Sequence, residues 1–262
     1  MLLSHLLLTR VKFCASLVYI LNQILRMGGL MATASQGQKT SRETGGDHHE
    51  KDAVTINAAV TINAIVQKIN QMAAGEHLLA IGIAGAPGSG KSTFAETLAE
   101  KLGSKACVIP MDGFHMDNEK LMANGTFDIK GAPETFERER FALLIDGLKS
   151  GEMKSYPTFD RAADQVVPDG GQVPGDVSIL LFEGNYLLFD EEGWVDLAAK
   201  WDASIWLDVP MDVLEKRLVQ RWLDHGLPQD QALKRAQSND LVNAARVASK
   251  ALPSTFVIQN NG

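Results

Sequence analysis

The chain has 262 residues, of which 45% are hydrophobic and 22% are charged, and its formal net charge is −7. This composition is typical of a globular protein that buries a core without disulfides or metals. Two cysteines are too few for a disulfide framework, which favours a reducing, cytoplasmic location. Beyond residue 42 there are 20 basic and 32 acidic side chains, and this acidic balance argues against nucleic-acid binding.

The first 52 residues are expected to lie outside the folded domain. Residues 1–42 carry five basic side chains and no acid. Their apolar runs, Leu2–Leu8 and Phe13–Leu25, are divided by basic residues, so neither reaches the length of a membrane span. A transit peptide and a signal anchor are two interpretations, and an upstream start with synthesis from Met27 or Met31 is the third, which we favour. The polar stretch that follows is expected to be disordered.

Residues 53–262 are predicted to form one domain of alternating strands and helices. Residues 113–175 are expected to be irregular, with short helices around 119–123 and 134–149. The alternation elsewhere predicts an α/β fold with a doubly wound, mostly parallel sheet and flanking helices. The other predicted elements are helices at 54–72, 92–102, 211–224 and 229–250 and strands at 77–84, 106–111, 177–182, 203–209 and 255–258.

A glycine-rich loop follows the first predicted strand. Residues 85–92 read GAPGSGKS and satisfy the pattern G-x-x-x-x-G-K-[ST]. Glycines let successive backbone N–H groups turn toward phosphate oxygens, the lysine adds a positive charge, and the serine hydroxyl is suited to Mg²⁺. The strand–loop–helix context argues against a simple glycine-rich turn. With ATP and Mg²⁺ as cofactors, the predicted nucleotide-binding residues are Gly85, Ala86, Pro87, Gly88, Ser89, Gly90, Lys91, Ser92 and Thr93.

Two acids come at the ends of predicted strands. Asp112 follows the second strand and is the candidate base for an acceptor hydroxyl, and Glu183 ends the third strand and is the candidate Mg²⁺ ligand through water. A turn or helix-cap aspartate and a surface glutamate are the alternative interpretations. Because the carboxyl ends of parallel strands meet at one edge of the sheet, we prefer the functional interpretation for both residues.

Arg217 and Arg221 lie four residues apart on the helix after the fourth strand and therefore share a face. They are candidates to close over ATP phosphates as part of a lid at about 211–240, because a planar, permanently charged guanidinium suits phosphate. Two solvated arginines paired with Glu215 or Asp224 are the alternative. The residues alone do not decide between the two.

Four segments carry a family resemblance. They read PMDGFHMDN at 110–118, KGAPETF at 130–136, YPTFDR at 156–161 and FEGNYLLFD at 182–190. With the glycine-rich loop, they resemble the pantothenate kinase, uridine kinase and phosphoribulokinase group of P-loop kinases. The resemblance runs from about residue 78 to 257. It is closest to a bacterial subgroup of nucleoside/nucleotide kinase-like proteins that carries the label of fructose-transport-system kinase.

The resemblance implies a P-loop fold with three layers and an acceptor-binding segment at about 113–175. It implies catalytic roles for Lys91, Asp112, Glu183, Arg217 and Arg221, with Ser92 and Glu183 at the metal. It implies acceptor binding by Asp160 and Arg161, with further pocket walls from Phe114, His115 and Tyr186. Packing is the alternative role for these three wall residues, and for Tyr186 it is at least as good an interpretation.

The expected function is an ATP-dependent kinase that phosphorylates a hydroxyl of a sugar, nucleoside or pantothenate-like metabolite. A regulatory P-loop ATPase and a nucleotide-binding module with degraded catalysis are the alternatives. Arg161 stands where type I pantothenate kinases usually have histidine, and the histidine and arginine of uridine kinases are absent after Asp160, so the acceptor stays open. A small-molecule partner is expected, with no nucleic acid and no stable membrane span, and a homodimer stays open.

Overall fold

The computed structural model describes residues 61–75 and 77–260. The predicted leader, the polar tail and the first part of the predicted helix at 54–72 lie outside these residues. Its last part is helix α1, Ile62–Met72, whose Ile65 and Ile69 are buried. Over the described ranges, no helix is both long and apolar enough to cross a membrane.

The described residues form two sheets and a set of flanking helices. The strands are β1 (Leu79–Gly85), β2 (Ala106–Pro110), β3 (Ser155–Asp160), β4 (Gln165–Gln172), β5 (Ile179–Gly184), β6 (Ala203–Asp208) and β7 (Phe256–Gln259). The remaining helices are α2 (Lys91–Leu102), α3 (Asn118–Ala123), α4 (Arg138–Ser150), α5 (Met211–Asp224), α6 (Gln229–Arg235) and α7 (Leu241–Ser249). The main sheet has the order β2-β5-β1-β6-β7, and all of its neighbouring strands are parallel.

Strand β1 shows why helices cover both faces of the main sheet. Side chains alternate between the two faces of a strand. Leu79, Ile81 and Ile83 pack in one core with α1 and α2, whereas Ala80 and Ala84 pack in a second core with α4. A strand buried on both faces reads as a continuous apolar run, which is the pattern that predicted β1 and β5. The predicted α/β, doubly wound fold is confirmed.

The sequence predicted that the segment 113–175 is irregular apart from short helices, but the structure also contains two strands there. Strands β3 and β4 form an antiparallel hairpin with an irregular register between Tyr156 and Thr158. Pro157 and Pro168 interrupt the two strands, and β4 has no buried residue. The hairpin therefore lacks the apolar alternation from which strands are recognised.

The long helix predicted at 229–250 is divided by a π-helical segment, Ala236–Asp240, between α6 and α7. The extra residue per turn changes which side chains face inward. Asn239, Asp240 and Asn243 are consequently buried although they are polar. Buried polar groups require partners, and these residues find theirs at the edge of a cavity described below.

An ion-pair cluster ties the loop after β5 to α7. The Glu191 carboxylate accepts hydrogen bonds from Arg246 Nε and from Lys250 Nζ, both at 2.8 Å, and Arg246 Nη1 also donates to Glu134 Oε1 at 2.6 Å. The side chains of Glu191 and Arg246 are 19% and 31% exposed, so water screens the pair only in part. Hydrogen bonds from Arg246 are the main reason that the pKa of Glu191 is lowered from 4.5 to about 2.

We expect Glu191→Gln to lower the free energy of unfolding at pH 7 by roughly 1 to 2 kcal/mol, because a half-buried guanidinium loses its carboxylate. A lowered carboxyl pKa contributes stability above the unfolded value of 4.5 that is lost as the pH falls toward about 2. The difference between wild type and variant should therefore shrink between pH 5 and about pH 2 in denaturant titrations. Glu192→Gln is the matched control, because Glu192 is exposed and its carboxylate makes no ion pair with any residue that the structure describes. An equal loss in both variants would contradict the assignment.

Candidate functional site

A cavity of about 620 Å³ lies at the carboxyl ends of β1, β2 and β5. In the parallel register, Glu183 on β5 is beside Pro110 on β2 and Ile83 on β1. The loop after β1, the turn after β2 and the end of β5 therefore meet at one edge of the sheet, and Lys91 and Asp112 join Glu183 in the cavity wall. This is the position at which open α/β sheets bind their ligands.

The loop between β1 and α2 ends in a left-handed residue. Gly90 has φ +87° and precedes Lys91, the first residue of α2. Lys91 is only 8% exposed, and its Nζ donates to the Ala86 carbonyl oxygen at 3.1 Å. Burial lowers the pKa of Lys91, while the charges of Glu183 and Asp112 oppose that shift. The lysine is thus held inside the loop as a buried cation, at the start of a helix that favours anions.

Glu183 lies beside the first turn of α2. Its side chain is 7% exposed, and Ser92 Oγ donates to Glu183 Oε1 at 3.1 Å. Burial raises the pKa of Glu183, and the Lys91 charge opposes that change. A hydroxyl and a carboxylate are oxygen donors of the kind that Mg²⁺ prefers, so the two residues fit this cation. Because the part of the chain that is described holds no cluster of three His, Cys, Asp or Glu side chains, the cation would need phosphate and water as further ligands.

Asp112 lies in the turn after β2 and forms an ion pair with Arg161 at the tip of the β3–β4 hairpin, with Nη2 and Oδ2 2.6 Å apart. Gly113 permits this approach, since a Cβ there would lie 2.0 Å from the Pro157 carbonyl oxygen. The Asp112 side chain is 25% exposed and that of Arg161 is 62% exposed. A carboxylate at the cavity wall with an exposed partner can accept a proton from a bound hydroxyl.

Aromatic rings form the wall beyond Asp112. The His115 ring lies between Phe136 and Phe159, with centroid distances of 4.1 and 4.6 Å, and all three residues line the cavity. Burial is the main reason that the pKa of His115 is lowered, so its imidazole is neutral at pH 7. His115 Nδ1 is 2.8 Å from the Asp112 carbonyl oxygen, which fixes the orientation of the ring. Aromatic rings dominate this part of the wall, which suits a small organic group.

The other side of this region contains polar residues that sequence reasoning did not select. Lys130 forms an ion pair of 2.7 Å with Asp164. Asn239 Nδ2 donates to the Lys130 carbonyl oxygen at 2.9 Å, and Asn243 Nδ2 donates to Asn239 Oδ1 at 3.0 Å. The two asparagines are 7% and 5% exposed and line the cavity. Two asparagines four residues apart in an otherwise apolar helical pattern were the available signal.

Three of the predicted acceptor-site residues do not line the cavity. Phe114 is buried and packs on Phe141, with centroids 5.0 Å apart. Tyr186 is fully buried, and its hydroxyl donates to the Gly131 carbonyl oxygen at 2.6 Å. The Asp160 carboxylate is exposed and accepts the backbone N–H groups of the hairpin turn at 2.9 and 3.0 Å. These side chains support the walls, whereas His115 and Arg161 face the cavity.

The two predicted lid arginines occupy different places. Arg221 lines the cavity, 3.9 Å from the Asp240 carboxylate and 5.3 Å from the centroid of the Trp222 ring. Arg217 is outside the cavity wall and donates to the Gly88 carbonyl oxygen at 3.3 Å. Of the predicted nucleotide-binding residues, Gly85, Ala86 and Ser89 also lie outside the wall, and those lining it are Pro87, Gly88, Gly90, Lys91, Ser92 and Thr93.

Comparison with known proteins identifies the family. The model of the Phosphoribulokinase / Uridine kinase family matches residues 80–226, more than half of the chain. A candidate fructose transport system kinase from Silicibacter sp. TM1040 has a crystal structure that is 46% identical, with a TM-score of 0.72 over 75% of this chain and 98% of that one.

Two further proteins have sequences similar to this chain. A candidate uridine kinase of Schizosaccharomyces pombe is 36% identical over 195 residues, 68% of this chain and 82% of that protein. The Escherichia coli protein YggC is 33% identical over 178 residues, 66% of this chain and 74% of that protein. The predicted resemblance to this group of P-loop kinases is confirmed. The chain belongs to the Phosphoribulokinase / Uridine kinase family.

Proposed function

We propose that the chain is an ATP-dependent kinase that transfers the γ-phosphoryl group to a hydroxyl of a small metabolite. One observation carries the proposal: the phosphate-binding loop, Glu183 and Asp112 line one cavity that continues past Asp112 to an aromatic wall. A volume of about 620 Å³ is within the range of small-molecule sites. The relatives named as kinases support the same reaction class.

In this proposal the loop side of the cavity binds the nucleotide. The backbone N–H groups of the loop and the buried Lys91 hold the β- and γ-phosphates. Ser92 and Glu183 hold Mg²⁺, with Glu183 acting through water, and the cation, when bound, neutralises charge on the transferring group. Arg221, in the wall of the same cavity, adds a positive charge near the phosphates.

The acceptor lies on the Asp112 side. Its hydroxyl donates to the Asp112 carboxylate, which accepts the proton as the oxygen forms a bond to the γ-phosphorus. The bond between the γ-phosphorus and the β–γ bridging oxygen breaks, and ADP leaves with that oxygen. The ion pair with Arg161 holds the carboxylate at the cavity wall. The proposal also includes a single domain at 53–262, with an acceptor segment at 113–175 and a lid at 211–240. It includes a cytoplasmic location as well. The names of relatives suggest a sugar, nucleoside or pantothenate-like acceptor.

A regulatory ATPase that acts on a protein partner is the alternative. Asp112 would then activate water instead of an acceptor hydroxyl. The wall built from His115, Phe136 and Phe159 favours the kinase, because a water molecule needs no aromatic surface beyond the base.

A screen for acceptors tests the proposal directly. Purified protein with Mg²⁺ and ATP would be assayed for ADP formation across neutral sugars, nucleosides, pantothenate and other hydroxyl-bearing metabolites. We expect one class to raise ADP formation at least tenfold above the basal rate, with the phosphorylated product identified by mass spectrometry. A panel that leaves the basal rate unchanged, while a protein partner raises it, would favour the ATPase.

Lys91→Ala should abolish most ATP turnover while the protein remains folded, because the buried cation that contacts the β- and γ-phosphates is lost. Turnover and the melting temperature would be measured on the same preparation. Lys101→Ala is the control, since Lys101 is exposed near the end of the same helix. A folded Lys91→Ala protein with near-normal turnover would remove the basis of the proposed function.

Asp112→Asn should lower the transfer rate by about 10²- to 10⁴-fold, because the amide has nearly the same size but accepts no proton from the hydroxyl. Binding of Mg²⁺-ATP should persist, since the loop and Ser92 are unchanged. Nucleotide affinity by calorimetry and transfer rate with the identified acceptor would be compared. Asp176→Asn, at an exposed position far along the chain, is the control. If Asp112 is only a turn residue, asparagine will replace it with little change in rate.

A further inference from the structure

Two carbonyl groups of the phosphate-binding loop have side-chain partners outside the cavity. The Gly88 carbonyl oxygen accepts from Arg217 Nη1 at 3.3 Å, and the Ser89 carbonyl oxygen accepts from Asn260 Nδ2 at 2.9 Å. Neither Arg217 nor Asn260 lines the cavity. The two side chains therefore contact the loop from outside the cavity.

The two partners are also bonded to each other. Arg217 Nη2 donates to Asn260 Oδ1 at 3.2 Å, so Gly88, Arg217, Asn260 and Ser89 form one chain of hydrogen bonds. The backbone N–H of Asn260 donates to the Asp208 carbonyl oxygen at 3.0 Å, which fixes it beside the end of β6. We call Arg217 and Asn260 the loop bracket.

Room for the bracket comes from the loop itself. A Cβ at Gly90 would lie 3.3 Å from Asn260 Nδ2, tighter than most real Cβ contacts. Gly90 is therefore required twice, for its left-handed conformation and for the approach of the asparagine. Ser89 Oγ is fully buried and has no hydrogen-bond partner in the part of the chain that the structure describes. The loop at this residue is therefore held through its backbone, by its N–H on the Ala86 carbonyl oxygen and by its carbonyl oxygen on Asn260.

These contacts bear on phosphate binding because N–H and C=O belong to the same peptide groups. A loop that turns its N–H groups toward phosphate leaves carbonyl oxygens that need donors elsewhere. A guanidinium donor makes a stronger hydrogen bond than water and polarises the peptide group that it contacts. The Ser89 N–H already donates to the Ala86 carbonyl oxygen at 3.0 Å, so the effect falls on the next peptide group. A donor on the Ser89 carbonyl oxygen favours the conformation in which the N–H of that same peptide group, on Gly90, is available to an anion.

We propose that Asn260, together with Arg217, is a positioning residue that holds the loop in its phosphate-binding conformation. This inference rests on the proposed ATP site, and it concerns residues that act through the loop. It also revises the expected role of Arg217, from an arginine that closes over ATP to one that supports the loop from outside the cavity.

Nucleotide binding without chemistry tests this proposal. Calorimetry would measure the affinity of the full chain for Mg²⁺-ATP and for Mg²⁺ inorganic triphosphate, which has phosphates but no base or ribose. We expect Asn260→Ala to weaken the affinity for both ligands by the same factor, about 5- to 30-fold, because one loop carbonyl loses its donor. Asn260→Asp should weaken the binding of both ligands at least as much, since a carboxylate still accepts a hydrogen bond from Arg217 but donates none to Ser89.

Two further variants keep the test decisive. Gln259→Ala should leave both affinities unchanged, because Gln259 is the exposed neighbour and its side chain donates to Asp208 and not to the loop. If an Asn260 variant does not fold, Arg217→Lys tests the same proposal. It should weaken the binding of both ligands, because one ammonium group lacks the fork of the guanidinium that spans Gly88 and Asn260. The unliganded melting temperature of each variant would be recorded, and we expect it to stay near that of wild type.

Three results would overturn the inference. Equal affinities of wild type and Asn260→Ala would show that the bracket does not act on the loop. A loss confined to ATP, with triphosphate binding unchanged, would mean that Asn260 acts on the base or ribose. If wild type bound neither ligand, the ATP site itself would be refuted, and the inference with it.

Discussion

The burial of two opposite charges at one edge of the sheet is the constraint on which the rest of the site depends. Lys91 and Glu183 are each more than nine-tenths buried, and removal from water favours the neutral form of both. Two such groups are tolerated only when they lie close together and have further polar partners. The parallel register supplies that closeness by placing the ends of β1 and β5 side by side, and Ser92 and Ala86 supply the hydrogen bonds.

The site has two halves that are stabilised in different ways. The loop side is fixed by the buried sheet, by the hydrogen bond from Lys91 to the loop backbone and by the hydrogen bond from Ser92 to Glu183 on β5. The Asp112 side is assembled from a turn, a hairpin and a π-helical segment. Ion pairs join the hairpin to Asp112 and to Lys130, and Asn239 of the π-helical segment donates to the Lys130 carbonyl oxygen. The first arrangement suits a ligand that is always the same, and the second suits a ligand whose shape is set by contacts among loops.

What the sequence predicted follows from how local each signal is. Strands β1 and β5 are buried on both faces, and α5 has a regular apolar stripe, so all three were predicted near their observed ends. The loop was recognised because its chemistry depends on consecutive residues. Asn260 is 171 positions from the Ser89 carbonyl that it contacts, and no local pattern predicts such a pair. The exposed strand β4 was missed because its residues have no core to face.

The exposure of β4 has an evolutionary consequence. Its exposed side chains make few demands on the core, so substitutions at Gln165, Val167 and Gln172 should cost little stability. The hairpin nevertheless carries Phe159, Arg161 and Asp164 into the cavity wall. Mutations in this arm can therefore drift nearly neutrally until one of them changes the shape of the wall. Such a structure lets new acceptor preferences arise, while the loop side, which is held in place by its buried charges, is left unchanged.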